Sequence, residues 1–262
     1  MADAGVGVFD SGVGGLSVLR EVRTALPAEH LLYVADSGAA PYGERPAQFI
    51  LERAQAIVEF FLGQQIKAIV VACNTATAVA IQSLRSRYAV PMIAIEPAVK
   101  PAAAQSRSGV IGILATSQTL ASENFSRLAE RHGQGVRILA QACPGLVEQV
   151  EKGDLHGAAT QAMVAAYLEP LLAQGADTIV LGCTHYPFLL SVIRAAAGPD
   201  VAVIDPAHAV ARELRRRLES AGLLRAGDAP GTERFWTSGA TLDVMPVMTK
   251  LWGCQVSVKR LP

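Results

Sequence analysis

An excess of charge of either sign is missing from this chain: Lys and Arg number 23, Asp and Glu number 23, and the formal net charge at pH 7 is zero. Duplex nucleic acids and anionic membrane surfaces attract proteins with a basic excess, so neither is an expected partner. Long apolar runs are missing as well. No stretch reaches the roughly 18–20 uninterrupted apolar residues of a membrane span. The start, MADAGVGVFDSG, carries neither the basic nor the apolar region of a secretion signal. The expectation is a soluble, cytoplasmic protein. Cysteines are few and scattered: Cys73, Cys143, Cys183 and Cys254 form no C-x-x-C pair, so nothing suggests a zinc ribbon or a thioredoxin-like motif. In a reducing cytosol they are expected as free thiols. Aromatics make up only 5%.

What is abundant is small aliphatic side chain. Hydrophobic residues are 51% of 262 and charged residues 18%, enough for a sizeable core and incompatible with wholesale disorder. That length suits one large domain or two small ones. Short apolar runs at Val6–Phe9, Leu31–Ala35, Ala68–Ala72, Met92–Ile95, Val110–Leu114, Arg137–Gln141, Thr178–Leu181 and Val201–Ile204 read as strands, most of them buried on both faces. Helical periodicity fills the intervals. In Pro46–Leu62 the residues Ile50, Ala54, Ile57, Val58, Phe61 and Leu62 line one face, and Gly157–Gln174 and Ala207–Ala221 read the same way. This alternation implies an α/β protein with parallel sheets and a ligand site beyond the carboxyl ends of the strands.

The chain also repeats itself. Ile69-Val70-Val71-Ala72-Cys73-Asn74 matches Ile179-Val180-Leu181-Gly182-Cys183-Thr184, and Ile93-Ala94-Ile95-Glu96-Pro97-Ala98 matches Ala202-Val203-Ile204-Asp205-Pro206-Ala207. Upstream, Gly7-Val8-Phe9-Asp10-Ser11 resembles Gly112-Ile113-Leu114-Ala115-Thr116. The common order of the matches implies two pseudo-symmetric units, each a mainly parallel sheet flanked by helices, facing each other across a central cleft. The expected division is 1–97 with a returning tail, 208–262, and 98–207.

The repeat puts Cys73 and Cys183 at equivalent positions, each directly after a buried strand and each followed by polar residues. The usual reading of a free cysteine, a small buried hydrophobe, serves for Cys143 and Cys254. It gives no reason for a pair to recur at two strand ends. Two opposed acid/base groups are what inversion at a carbon needs, one removing a proton from one face and the other supplying a proton to the opposite face. A thiol with a pKa of about 8.5 suits both tasks if neighbours switch it between thiol and thiolate. His185 is the candidate assistant for Cys183. Asp10 is the candidate for Cys73 if the first and third strands are neighbours, and Asp10-Ser11 also reads as the cap of a helix over Gly14–Thr24.

Four motifs in order, Val8-Phe9-Asp10-Ser11-Gly12-Val13-Gly14-Gly15-Leu16, Pro41-Tyr42-Gly43, Cys73-Asn74-Thr75 and Gly182-Cys183-Thr184-His185-Tyr186-Pro187, resemble those of the aspartate/glutamate racemase family, most closely its cofactor-independent glutamate-racemising branch. The resemblance implies interconversion of L- and D-glutamate by two cysteines, no cofactor, and supply of D-glutamate to peptidoglycan. It implies that Cys73 takes the proton from D-glutamate and Cys183 from L-glutamate, with Asp10 and His185 as assistants. Asp10, Ser11, Tyr42, Gly43, Asn74, Thr75, Thr184 and His185 fall on substrate-contacting positions, and Thr116, Thr119 and Glu151 join them. The segment leading to Glu151 departs from the family pattern, with Gly145 and Glu148 where Leu and Pro are common. Relatives in this family are often dimers, so a homodimer is a further implication.

Other chemistries fit less well. A pyridoxal-phosphate enzyme needs a Schiff-base lysine, and none of Lys67, Lys100, Lys152, Lys250 and Lys259 lies in the strand-end motifs. A Cys183–His185 hydrolase leaves Cys73 unexplained. A metal site using Cys183, His185 and Asp10 has no recognisable ligand spacing. The glycines of Gly12-Val13-Gly14-Gly15 match no nucleotide-loop pattern. The nearest alternatives are an aspartate racemase and a non-catalytic amino-acid-binding protein, and the paired cysteines argue against the second.

Overall fold

The computed structural model describes residues 2–227 and 229–262. The chain opens with β1 (Gly5–Asp10), α1 (Leu16–Ala25), β2 (Leu31–Ala35), a turn of 3-10 helix at Tyr42–Glu44, α2 (Ala47–Gly63), β3 (Ile66–Val71), α3 (Asn74–Arg87) and β4 (Met92–Ala94). After α4 (Val99–Gln105) the pattern starts again: β5 (Val110–Ala115), α5 (Ser117–Leu120), α6 (Glu123–His132), β6 (Arg137–Ala142), α7 (Leu146–Glu151), α8 (Ala158–Ala173), β7 (Thr178–Gly182), α9 (Leu190–Ala197) and β8 (Ala202–Ile204). The chain ends with α10 (Ala207–Ser220), β9 (Glu233–Thr237), α11 (Thr241–Trp252) and β10 (Val258–Arg260).

Among the described residues ten strands form two parallel sheets, ordered β10-β9-β2-β1-β3-β4 and β6-β5-β7-β8. Without β9 and β10, the first order is the second with each strand replaced by its counterpart. Register carries the repeat to single residues. Gly7 faces Ile69 across β1 and β3, and Gly112 faces Ile179 across β5 and β7, the same residues that align in the sequence. The last pair of strands departs from that alignment. Val70 faces Ile93 while Val180 faces Ile204, so β4 and β8 are offset by two positions from the match of Ile93 with Ala202. A shift of two keeps every side chain on its own face of the sheet, and so leaves the apolar pattern intact.

The central strands β1, β2 and β7 are buried along their whole length, as strands covered on both faces must be. One large apolar cluster runs through both units, joining Leu16 and Leu19 of α1 to Leu146, Leu181 and Leu189 and to Leu214 of α10. On the outer face of the first sheet, α2 buries Ile50, Ala54, Ile57, Val58 and Phe61, whereas Leu62 is 43% exposed, at the rim of the apolar face that the periodicity assigned to it. Cys254 differs too. It is exposed, because it lies in the turn between α11 and β10 and outside any core.

Both sheets change direction of winding at one place, between β1 and β3 in the first and between β5 and β7 in the second. Beyond the carboxyl ends of the strands on either side of such a point the connections diverge and leave a crevice. Asp10 and Cys73 stand at one crevice, Thr116 and Cys183 at the other. Lys67, near the amino end of β3, is remote from this edge and forms a buried ion pair with Glu29. Among the described residues no helix is long and apolar enough to cross a membrane.

Candidate active site

Cys73 follows β3 and caps α3: its sulfur accepts a hydrogen bond from the Ala76 N–H at 3.4 Å. Its thiol is also within reach of the Ser11 hydroxyl, 3.7 Å away. Only 4% exposed, the thiol is pushed well above the ordinary cysteine range, first by burial and then by the neighbouring Asp10 carboxylate, so at neutral pH it holds its proton. The charge of Cys183 adds a smaller push in the same direction.

Asp10 is the last residue of β1, fully buried. One carboxylate oxygen accepts the Gly15 N–H at 2.9 Å, ahead of α1, and the other faces the Thr184 hydroxyl at 3.3 Å. Burial raises its pKa, while the charge of His185 opposes the rise. The same side chain thus caps the approach to a helix and touches both halves of the site.

Cys183 follows β7 and is 7% exposed. Its sulfur lies 3.7 Å from Nδ1 of His185. The other ring nitrogen, Nε2, is 2.7 Å from Oε1 of Glu151. Burial works against a charged imidazole, but the hydrogen bonds to Cys183 and Glu151 outweigh it and hold His185 well above the ordinary histidine range. Glu151, the last residue of α7, also accepts the Val13 N–H at 2.7 Å and the Ser37 hydroxyl at 3.3 Å. A Cβ on Gly12 would run into the Glu151 carboxylate, and one on Gly14 into the His185 ring, so these two glycines admit the dyad to the first unit.

The remaining residues singled out in the sequence converge here, in two groups. Thr75, Thr116 and Thr119 form a hydroxyl triangle across the two units, with Oγ1 separations of 2.9, 3.3 and 2.9 Å. Asn74, at the first turn of α3, is buried with neither amide atom partnered among the described residues. Buried amides are rarely left so, and polar ligands are what such groups serve. Gly43 packs on Thr116, where an added Cβ would lie 2.9 Å from the threonine Cβ. Tyr42 behaves differently from its neighbours. Its ring is 1% exposed and its hydroxyl donates to Asp36 at 2.5 Å, so any contact it makes to a ligand runs through the backbone. A recess of about 20 Å³, lined by Gly43, Thr116, Cys143 and Glu148 among others, leads toward the triangle and has room for about one water molecule.

Three contributors escaped the sequence reading: Asp36, Ser37 and Ser17. Ser17 stands near the Thr184 and Gly14 carbonyls, 2.9 Å from each, and so ties α1 to the Cys183 loop. The signal for the other two was present. Asp36-Ser37-Gly38 stands at the end of β2 as Asp10-Ser11-Gly12 stands at the end of β1. Among the described residues no group of three or more His, Cys, Asp or Glu side chains is arranged to hold a metal ion.

Residues 6–214 match the family of Asp/Glu/Hydantoin racemases. Over 257 residues the chain is 55% identical to a glutamate racemase of Methylococcus capsulatus, covering 98% of this chain and 95% of that one. The structure matches that of a glutamate racemase from Bacillus anthracis with a TM-score of 0.92 and 34% identity, covering 100% and 98% of the two chains. It matches the Escherichia coli glutamate racemase, solved in complex with L-glutamate and the activator UDP-MurNAc-ala, with a TM-score of 0.86 and 31% identity, covering 98% of each. Fold and relatives together define an α/β racemase. The chain belongs to the Asp/Glu/Hydantoin racemase family.

Proposed function

We propose that this protein interconverts L- and D-glutamate without a cofactor, Cys73 and Cys183 serving as the two acid/bases on opposite faces of the α-carbon. The observation that carries the reading is the equivalence of the two thiols, each beyond the carboxyl end of the matching strand in its sheet, each with its own charged neighbour. Cys183, beside the His185–Glu151 dyad, takes the proton from L-glutamate, and the developing thiol is left next to an imidazole that tracks its charge. Cys73, protonated in the resting site, delivers its proton to the other face. The reverse reaction exchanges the roles. Negative charge that develops on the substrate carboxylate meets the N–H groups at the start of α3 and the threonine hydroxyls. Asp10, Ser11, Gly43, Asn74, Thr75, Thr116, Thr119 and Thr184 surround the substrate, and Tyr42 presents its peptide. The near-complete burial of both sulfurs supports a reaction shut off from bulk water, where such electrostatic contacts count most.

In this reading residues 1–97 with 208–262 form one unit and 98–207 the other. The protein works in the cytoplasm, pairs as a homodimer, and its D-glutamate serves peptidoglycan synthesis. The test is optical. Purified protein with L-glutamate and no additive is expected to erase the circular dichroism of the amino acid, and L-aspartate in parallel to keep its own. Loss of the aspartate signal alone would make it an aspartate racemase, and no change in either a binding protein. Cys73→Ser and Cys183→Ser should each fold and lose at least about 10²-fold in turnover, the usual weight of a placed acid/base; near-wild-type rates in either would sink the mechanism.

A further inference from the structure

We infer that Arg53, outside the substrate site, is a positioning residue that fixes the Tyr42–Glu44 turn through Asp36, and that it sets the affinity for substrate. The inference rests on the proposed racemase reading.

Asp36 follows β2 at the edge that bears Asp10, and its backbone N–H donates to the Asp10 carbonyl at 3.0 Å. Its side chain is fully buried and accepts three hydrogen bonds. Two come from Arg53 of α2 in parallel, Nε to Oδ2 at 2.9 Å and Nη2 to Oδ1 at 2.6 Å. The third comes from the Tyr42 hydroxyl at 2.5 Å. Burying a carboxylate without a partner is costly, and the two-pronged guanidinium is the one ionic partner Asp36 has among the described residues. Arg53 therefore fixes the Asp36 carboxylate by two parallel bonds, and one of the same oxygens, Oδ2, accepts from the phenol.

The phenol in turn sets the turn. Tyr42 opens a single turn of 3-10 helix, and the next residue, Gly43, lies against Thr116 of the opposite unit. The far end of the turn is tied to that unit as well, by Gln118 Nε2 donating to the Arg45 carbonyl at 2.9 Å. The turn thus carries backbone donors to the rim of the substrate site, and the buried Tyr42 ring, with its hydroxyl on Asp36, anchors it in the first unit's interior. Among the described residues the side chains of Arg53, Asp36 and Tyr42 make no hydrogen bond to Cys73 or Cys183, so loss of their mutual bonds should loosen binding and spare proton transfer.

Arg53→Met, Tyr42→Phe and the double variant test this by circular dichroism assays in both directions. The expected result is a KM raised by about tenfold for both enantiomers with kcat within about twofold, and a double variant no worse than the poorer single one, because both cut one chain of contacts. An unchanged KM in Arg53→Met, whatever its melting temperature, overturns the inference, as do independent, multiplying effects of the two substitutions. Should Arg53→Met fail to fold, Arg53→Lys carries the test, keeping the charge and losing the parallel pair of bonds. A KM about threefold higher supports the inference, and a wild-type KM overturns it. Wild-type protein without activity toward glutamate refutes the racemase reading itself, and with it this inference, whereas an active wild type and unaffected variants refute the inference alone.

Discussion

Glu151 ends a line of contacts that starts at the Cys183 sulfur: Sγ to Nδ1 of His185 at 3.7 Å, then Nε2 to Oε1 of Glu151 at 2.7 Å. The carboxylate is one of the groups that hold the imidazole protonated against burial, with Cys183 and Asp10 the others. Its removal moves the histidine pKa down. An imidazole with a raised pKa stays charged until the pH climbs through that value, so the rate that depends on the charged form has an alkaline limb. Glu151→Gln is therefore expected to bring the alkaline limb of the L-to-D reaction to lower pH by about one unit. The D-to-L limb, governed by the Cys73 side, should move less. Profiles of kcat at saturating substrate from pH 6 to 10 in both directions check this, and equal movement of both limbs would remove His185 and Glu151 from the Cys183 side. At this scale the two thiols were legible, because a repeat singles them out without any knowledge of contacts. The role of Glu151 was not. It stands 34 residues from His185 on another element, and only folding brings the two together.

Elements were read better than their junctions. All eight strands expected in the two repeats form, with ends moved by a residue or two, because short β-branched apolar runs between turns mark strands even where, as in β6 and β8, they are only partly buried. Helix α11 went unread. Pro246, the sixth of its twelve residues, breaks the pattern by which helices are recognised and removes one bond from the hydrogen-bond ladder. The junction between α4 and β5, where the chain passes from one repeat to the other, is held by Asp177, which no periodicity reveals. Its carboxylate accepts from Ser106 Oγ, the Arg107 and Ser108 N–H groups and Thr178 Oγ1, at 2.7, 2.7, 2.7 and 3.0 Å. Desolvation opposes the charge, but these donors overcome it and hold the carboxyl well below its usual range. A carboxylate with a depressed pKa stabilises the fold above its unfolded value near 3.9 and ceases to do so as the pH falls through the folded one. Asp177→Asn is expected to lose about 1 kcal/mol near neutral pH, a modest figure because the site is partly open to solvent. The difference from wild type, measured by urea denaturation, should persist down to about pH 4 and shrink below it. A difference independent of pH to the acid limit would mean that the hydrogen bonds act without the charge.

The molecule as a whole makes its site only where the two units meet. The Thr75–Thr116–Thr119 triangle, the Thr184 hydroxyl on Asp10, Ser17 beside the Thr184 carbonyl and Glu151 on the Val13 N–H all cross that boundary. Both thiols are nearly sealed, so substrate exchange requires the boundary to loosen and catalysis requires it to close again. Gly12 is where closure is most exposed to a single atom. A Cβ there would overlap the Glu151 carboxylate, while the residue's backbone is outside the left-handed region that only glycine favours. Gly12→Ala should therefore fold as the wild type does and fail to seat Glu151. Ligand that bridges the units stabilises the closed form: at 100 times its Kd, glutamate should add about 2.7 kcal/mol to the wild type, several degrees of melting temperature. In Gly12→Ala the gain should shrink to a fraction of that and turnover fall by at least about tenfold, with melting in the absence of glutamate little changed. Adding Glu151→Ala removes the obstructing carboxylate, so the double variant should recover part of the glutamate-induced shift without recovering the activity that needs the His185–Glu151 contact. A full thermal shift and full turnover in Gly12→Ala alone would show that the two units close without docking Glu151 at Val13, and that the crossing contacts follow substrate binding without driving it.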